Sequence, residues 1–386
     1  MPNRPARPAS FRKFRVLPWT AMLLMAAFWP RQAKGRGDPP GRSQAVTGSV
    51  EALREREPGR GRGAVHPAQI PPRGWLDIAW RTVKEIGDDR LPAVAGGVTF
   101  YTLLAIFPGL GAFVSLYGLF ADVHEAQRQF IGLIGILPPE FLSIIGDQMV
   151  RLAAAPAQNL GFAFVVTLLL AIWSASSGVK ALFNGLNVAY DEDEKRGFVS
   201  VSLLALGATV SLLLFIALLA AMLVAIPALS PGEAPFAAVI RWFAALVLTT
   251  GLISLLYRFG PSRAKPRWQW VTWGSGFAAL LWMLGSLGFS AYVTNIGHYD
   301  RTYGPLGAVI AFMVWIWFSM LVILVGAELN AEIEHQTAVD STTGPPMPMG
   351  QRGAAMADTV GLRAQVGETV KAMTEKLQAV VRPGRK

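Results

Sequence analysis

Residues 304–328 read GPLGAVIAFMVWIWFSMLVILVGAE, and Glu328 is the first charged side chain in this stretch. The uncharged run before Glu328 is longer than the roughly 20 residues that an α-helix needs to cross a bilayer. Because hydrocarbon offers backbone groups no hydrogen-bond partner, such a run must satisfy its own backbone and fold as a helix. The stretch therefore predicts a transmembrane helix in an integral membrane protein.

Five further segments are similarly apolar and long. The chain has 386 residues, of which 52% are hydrophobic and only 16% are charged, whereas soluble domains carry about 25% charged residues. The expected fold class is therefore all-α: an integral membrane six-helix bundle within residues 75–335, with amphipathic interfacial helices and disordered tails. The six predicted spans are approximately 93–120, 160–184, 198–226, 236–257, 271–294 and 304–328.

Polar segments flank this membrane domain. Residues 1–74 are rich in Arg, Gly and Pro, and such a composition does not repay the entropy of ordering, so a disordered cytosolic tail is expected. The apolar stretch 16–29 inside it is short for a span and contains Pro18, which leaves a cleaved signal or anchor as the weaker alternative. Residues 336–386 are predicted to be a cytosolic tail with a short amphipathic helix at 366–380, whose role stays open.

Amphipathic segments adjoin the predicted spans. Apolar residues recur at helical spacing over 75–88, with charged residues between them. This pattern predicts a helix that lies on the membrane surface or packs on the domain's own cytosolic face. Residues 130–152 predict two further short helices, joined at Pro138 and Pro139, that rest on the bilayer or cap the bundle.

Basic residues predict the orientation. The expected topology leaves only four of the 35 Lys and Arg residues on one side of the membrane. Positively charged flanks remain on the cytoplasmic side of a membrane. Both termini are therefore expected to be cytosolic. The four residues on the opposite side are Arg128, Arg151, Arg241 and Arg301.

Five sequence motifs are more specific than composition. Together they resemble the BrkB/YihY family of bacterial inner-membrane proteins over residues 75–335, with Pro305 as a departure where a small residue is expected. The resemblance implies a six-helix inner-membrane protein; the family has been labelled ribonuclease BN, and linked to serum resistance and to moving lipids toward the outer membrane. The motifs are AGGVTFY at 95–101 with Phe107 and Pro108, WSASSGVK at 173–180 with Asn184, Asn187 and Tyr190, LYRFGP at 256–261 with Trp268, YGPLGA at 303–308, and GAELNAE at 326–332.

The ribonuclease label does not suit these residues. A metal-dependent nuclease needs clustered ligands around an ion that activates water. The chain has no Cys and only four His, far apart in sequence, so neither a metal site nor an enzyme is expected. No phosphate-binding loop motif for nucleotides is present, and no cofactor is expected. Specific nucleic-acid binding is not expected either, because few aromatic residues interleave the tail arginines.

Ionisable residues within spans are functional candidates, since they are costly there. Lys180, Arg258 and Glu328 are predicted at similar depth near the cytosolic face. They form either an ion pair that locks helices, with Asn184 and Asn330 completing hydrogen bonds, or a vestibule where the two cations hold a lipid phosphate. Snorkelling without specific partners is the third interpretation.

A second cluster is predicted on the outer side, around the turn between the last two spans. It comprises Tyr299, Asp300, Arg301 and Tyr303. Interfacial anchoring by the tyrosines is one interpretation, and docking of a periplasmic lipid-transfer partner is the other.

These features together predict a multi-pass inner-membrane protein that assists lipid transport or envelope lipid homeostasis, with membrane lipids as its partners. A homo-oligomer is compatible with the sequence. The alternatives are a scaffold that recruits envelope partners and a small-solute exporter, which would need a more polar path through the spans.

Overall fold

The computed structural model describes residues 50–120, 160–220, 222, 235–295 and 307–362. All of them belong to the larger of the two compact units of the chain. The described residues form helices and irregular segments, with one isolated β-bridge between Pro266 and Thr342 and no strand. The α-helices are α1 (Val50–Arg56), α2 (Pro72–Asp88), α3 (Leu91–Phe120), α4 (Leu160–Ala189), α5 (Phe198–Ala220), α6 (Pro235–Phe259), α7 (Trp268–Asn295), α8 (Gly307–Glu334) and α9 (Ala355–Asp358).

Long helices occupy all six positions where the sequence predicts spans, which confirms the all-α fold class. Within the described residues, three helical segments are long and apolar enough to cross a membrane: Val239–Phe259, Trp268–Val293 and Val309–Glu334. Shorter apolar helices cover Leu91–Ala105 and Phe198–Leu212. The count of six spans stays a prediction.

Helix α8 is central, because it packs against α2, α3, α4 and α7. Its buried side chains include Leu324, Ala327 and Ala331, which join one apolar core with residues of α3 and α4. Outside this core, large apolar side chains cover the surface of α5, α6 and α7. Leu203 is 65% exposed, Phe243 65% and Leu284 57%. Such a surface suits hydrocarbon rather than water.

One end of the bundle collects the polar groups. We call it the polar end: the α2–α3 junction at 88–91, the α4–α5 connection at 189–198, the α6–α7 connection at 259–268 and the end of α8 at 334. Hydrogen bonds link these segments. The backbone N–H of Ser262 donates to Asn187 Oδ1 at 2.7 Å, and Trp317 Nε1 donates to the carbonyl of Pro92 at 2.9 Å.

Two segments predicted to be disordered are instead folded onto the polar end. We call residues 50–71 and 336–362 the cap. Leu53, Ala338 and Val360 form a small apolar cluster within it. Arg62 donates to the carbonyls of Gly361 at 2.6 Å and Gln336 at 3.1 Å.

The prediction of disorder is therefore corrected for residues 50–74 and 336–362. That prediction considered only the apolar content of each segment. Hydrogen bonds to other parts of the protein hold the cap in place. Two glycines also supply tight turns with positive φ, Gly59 at 72° and Gly61 at 86°.

The amphipathic helix α2 packs on the protein, as one of its two interpretations expected, but with its polar face inward. Asp77 is 1% exposed and Arg81 4%, whereas Leu76 is 63% exposed and Val83 72%. Trp75 packs against Trp273 of α7 with ring centroids 5.5 Å apart. Buried charges on the polar face find partners at the polar end, which explains this orientation.

Several predicted features lie outside the described residues. These are the apolar stretch 16–29, the two short helices of 130–152, the outer cluster of Tyr299, Asp300, Arg301 and Tyr303, and the amphipathic helix of 366–380.

Candidate functional site at the polar end

A buried ionic network joins α2, α8 and the cap. Arg81 Nε donates to Glu332 Oε2 in a short contact, and Arg81 Nη2 donates to Gln336 Oε1 at 2.7 Å. Arg81 Nη1 also reaches the carbonyl of Leu362 at 2.8 Å. Burying two charges is tolerable only when both are paired and hydrogen-bonded. The network therefore fixes the position of α2 against α8.

Other arginines of the polar end are paired in the same way. In each pair the guanidinium contacts a carboxylate. The pairs are Arg60 with Asp77 at 2.5 Å, Arg62 with Glu57 at 2.7 Å, Arg196 with Glu194 at 2.7 Å, and Arg263 with Glu334 at 2.6 Å.

Glu328 differs from these carboxylates. Its side chain is 0% exposed, and within the described part of the chain neither carboxylate oxygen has a hydrogen-bond partner. The charged groups that act on it are the carboxyls of Glu332, Asp89, Glu85 and Asp191. No ion pair joins Glu328 to Lys180 or Arg258 among the described residues, so the predicted helix-locking pair is not formed there.

Lys180 and Arg258 each lie against an aromatic ring. Lys180 is half-buried on α4, with Nζ 5.1 Å from the centroid of the Phe198 ring. Arg258 is half-buried at the end of α6, with its guanidinium carbon 4.5 Å from the Trp268 ring centroid. Its Nη1 donates to the carbonyl of Pro266 at 2.6 Å, and its Nε is buried without a partner. Neither cation is ion-paired to a carboxylate in the described residues.

The two asparagines of the predicted site have different environments. Asn330 is 1% exposed, accepts from the backbone N–H of Gly274 at 2.7 Å, and donates to the carbonyl of Val271 at 2.7 Å. It therefore holds α8 to α7. Asn184 is exposed on α4.

The connection between α4 and α5 is tied to the α6–α7 connection. Asn187 Nδ2 donates to Glu194 at 3.1 Å, while its Oδ1 accepts from Ser262. Hydrogen bonds from Arg196 lower the pKa of Glu194 to about 2, because donors stabilise the charged form of a carboxyl. Glu194 is therefore ionised at every pH where the protein is expected to work.

Asp89, at the junction of α2 and α3, shows the opposite effect. Burial raises the pKa of its carboxyl to about 8, and the negative charges of Asp191, Glu85 and Asp88 act in the same direction. Like charges and desolvation both disfavour the ionised form. This carboxyl therefore takes up a proton near neutral pH.

Sequence reasoning missed most of the buried network. Arg81 looked like a solvated residue on the polar face of α2, and Glu332 entered only as part of a motif. The available signal was the density of acids at the end of α8, since Glu328, Glu332 and Glu334 follow a long apolar run. Which cation meets which acid depends on partners far along the chain, and spacing does not reveal that.

The histidines are separate in the described part of the structure. His66 is exposed, and His335 Nε2 lies 3.0 Å from the hydroxyl of Thr359. The described residues contain no group of three or more His, Cys, Asp or Glu side chains that could hold a metal ion. His124 and His298 lie outside the described residues.

Comparison with known proteins shows to which family this chain belongs. The family model described as virulence factor BrkB matches residues 82–349, which include α3 to α8 and the described part of the C-terminal cap up to residue 349. The chain belongs to the BrkB family. The motifs that suggested the resemblance lie mostly at the polar end, where Asn187, Tyr257, Glu328 and Asn330 are found. The resemblance is thus confirmed.

Named relatives of this BrkB-family chain are membrane proteins or carry a nuclease-like name. The ribonuclease-like protein YfkH of Bacillus subtilis is 32% identical over 248 residues, covering 61% of this chain and 86% of YfkH. A UPF0761 membrane protein of Chromobacterium violaceum is 28% identical over 252 residues, covering 64% of this chain and 59% of that relative. The UPF0761 membrane protein VV0203 of Vibrio vulnificus is 26% identical over 283 residues, covering 69% and 87%. No solved structure matches the chain.

Proposed function

We propose that this membrane protein lies in the bacterial inner membrane with both termini in the cytosol and assists the movement of lipids between membranes. Lys180 and Arg258 contact the lipid phosphate at the polar end. The observation that carries the proposal is the state of these two cations. Both are half-buried, neither is ion-paired to a carboxylate in the described residues, and each lies against an aromatic ring.

The aromatic partners support a headgroup position. Phe198 is 81% exposed and Trp268 48%, and both begin a long apolar helix at the polar end. Aromatic side chains at the ends of transmembrane helices lie at the level of the lipid headgroups. A cation held there attracts anionic lipid, with about 1 kcal/mol per Lys or Arg near the surface.

The paired arginines argue against phosphate binding elsewhere on the polar end. Arg60, Arg62, Arg81 and Arg263 already contact carboxylates, so their charges are compensated within the protein. Since each pair is partly or fully buried, releasing a cation to nucleic acid or lipid would leave a buried carboxylate uncompensated. The same pairs favour a binding role over nucleic-acid processing, and we propose no enzymatic activity.

The test compares Lys180→Met combined with Arg258→Gln against the wild-type protein, by native mass spectrometry of co-purified lipids and by lipid movement in proteoliposomes. We expect the double variant to lose most retained anionic phospholipid and to slow its movement. Arg54→Gln is the matched control, because it removes a charge from an exposed position on α1. A scaffold would tolerate the double substitution, so unchanged lipid retention and movement would exclude this proposal.

A further inference from the structure

We propose that Glu328 is a proton-binding site reached from the polar end, and that its protonation makes the rate of lipid movement depend on pH. This deepens the proposed function and rests on it. The argument begins with burial: the Glu328 carboxyl is fully enclosed, and neither of its oxygens has a partner within the described residues. An anion in that position would have neither water nor a donor, so its stable form is the neutral acid.

The cations of the polar end cannot serve Glu328. Arg81 is held by Glu332 and Arg263 by Glu334, and both arginines are buried. Arg263 also lies over the ring of Tyr190, with 4.9 Å from its guanidinium carbon to the ring centroid. Pairing either arginine with Glu328 would only transfer the unpaired charge to another buried carboxylate. The site therefore lacks a permanent counter-ion.

A second buried polar group belongs to the same site. The hydroxyl of Tyr190 is fully buried and lies close to the side chain of Asn330. Its electrostatic environment includes Glu328 and Glu334 together with Arg263. A buried Glu328 carboxyl without a hydrogen-bond partner is costly unless a bound species or a second conformation satisfies it. A bound proton is such a species.

Acidic side chains influence this site electrostatically. The carboxyls whose charges act on Glu328 are those of Glu332 on its own helix, Glu85 and Asp89 from α2 and the α2–α3 junction, and Asp191 after α4. Glu85 has 28% of its side chain exposed and contacts Lys84 at 2.9 Å. Carboxyls in succession can pass a proton inward, as they do in pumps and transporters.

Proton release supplies the coupling. When Glu328 gives its proton to a carboxylate of the polar end, it becomes a buried anion without a counter-ion or a hydrogen-bond donor. The cost of that anion acts on α8, which packs against α2, α3, α4 and α7. The deprotonated state therefore favours a conformation in which α8 moves relative to α2 and the polar end opens to water, and the protonated state favours the closed packing seen here.

A proton fits this site better than a metal ion. A single carboxyl suffices to bind a proton, whereas metal cations require several oxygen or nitrogen ligands around them. The described residues hold no group of three His, Cys, Asp or Glu side chains suited to a metal ion. The test therefore compares the response to sodium with the response to pH.

The experiment uses the full chain in proteoliposomes that contain a fluorescent anionic phospholipid, with the pH or the sodium concentration varied equally on both sides. The wild-type protein should move lipid at a rate that changes with pH at constant sodium. We expect Glu328→Gln to abolish this response to pH and Glu328→Asp to retain it. Glu51→Gln, at an exposed acid on α1, should respond as the wild-type protein does.

A direct measurement separates this inference from the proposed function. Infrared difference spectra between the wild-type protein and Glu328→Gln in nanodiscs should show a protonated carboxyl band that titrates with pH and shifts in Glu328→Asp, while the band of Asp89 cancels. Wild-type protein that moves no lipid would overturn the proposed function and with it the coupling, while the infrared titration would still decide the proton site. A response to sodium in place of pH, or a carboxyl band that does not titrate, would overturn the proton site.

Discussion

Asn330 and Asn184 are chemically identical, yet only Asn330 is enclosed by the protein. We expect Asn330→Ala to lower the free energy of unfolding by about 1–3 kcal/mol, because it removes two buried hydrogen bonds that join α8 to α7. Asn184→Ala should change it by less than about 0.5 kcal/mol, as is usual for exposed positions. Unfolding titrations in one detergent measure both. Equal effects of the two substitutions would contradict the role assigned to Asn330.

Asp89 gives the polar end a pH-dependent stability. Its carboxyl pKa rises from 3.8 to about 8 in the folded protein, so the native state binds the proton more tightly than the unfolded state. The contribution of this group is favourable at low pH and is lost as the pH rises from about 4 to about 8. We expect Asp89→Asn to remove this part of the decrease in stability with rising pH. Thermal unfolding in detergent across this pH range measures it. A variant that keeps the wild-type pH dependence would contradict the assignment.

At the scale of single residues, the sequence located the cations and acids of the polar end but not their partners. Lys180, Arg258 and Glu328 were recognised because ionisable groups stand out in apolar runs. Their mutual pairing was expected from similar depth alone. Depth along a helix does not specify which face of the helix meets a neighbour, and Glu328 faces other acids instead.

At the scale of elements, close approach of α7 and α8 depends on glycine. A Cβ at Gly274 would lie 2.3 Å from the carbonyl oxygen of Gly326 and 2.6 Å from Asn330 Cγ, whereas a Cβ at Gly276 meets nothing within 4 Å. We expect Gly274→Ala to cost about 1–3 kcal/mol by overpacking. Gly276→Ala, two residues away on the same helix, should be neutral or stabilising by up to about 1 kcal/mol through helix propensity.

Unfolding in detergent and the yield of folded protein distinguish these two variants. If both variants lost stability and yield to the same extent, substitution anywhere in α7 would be destabilising, and the effect would not depend on its contact with α8. Gly274 and Ala278 are four residues apart on α7 and both contact α8, since Ala278 Cβ lies 2.6 Å from a Cβ built at Gly326. Ala93 and Gly97 have the same spacing, yet Gly97 faces open space. Small residues permit close packing but do not select the partner.

At the scale of the whole molecule, the cap connects segments that are distant in sequence. Arg62 and Arg81 bind the carbonyls of Gly361 and Leu362, so the cap holds α2 against α8. We expect a chain ending at residue 362 to keep the unfolding midpoint of the full chain. A chain ending at 336 should be less stable by about 1–3 kcal/mol for each buried donor left without its acceptor.

Limited proteolysis and thermal unfolding compare the two truncations. In the shorter chain, α2 should become accessible to protease, since the contacts that hold it are weakened. If both truncated proteins unfold like the full chain, the cap does not contribute to the stability of the membrane domain.

The sequence by itself determined whether hydrocarbon or water surrounds the long apolar helices. Whether a run of residues such as 304–327 prefers hydrocarbon to water depends on that run alone, because each apolar side chain contributes its own transfer free energy. Helix positions, the all-α class and the family motifs follow from such local information. The order of residues 50–71 and 336–362, the inward polar face of α2 and the unpaired state of Glu328 were decided only by the tertiary structure. These features depend on which charges and donors meet across hundreds of residues, and the energy of a buried charge depends on the partner that it finds.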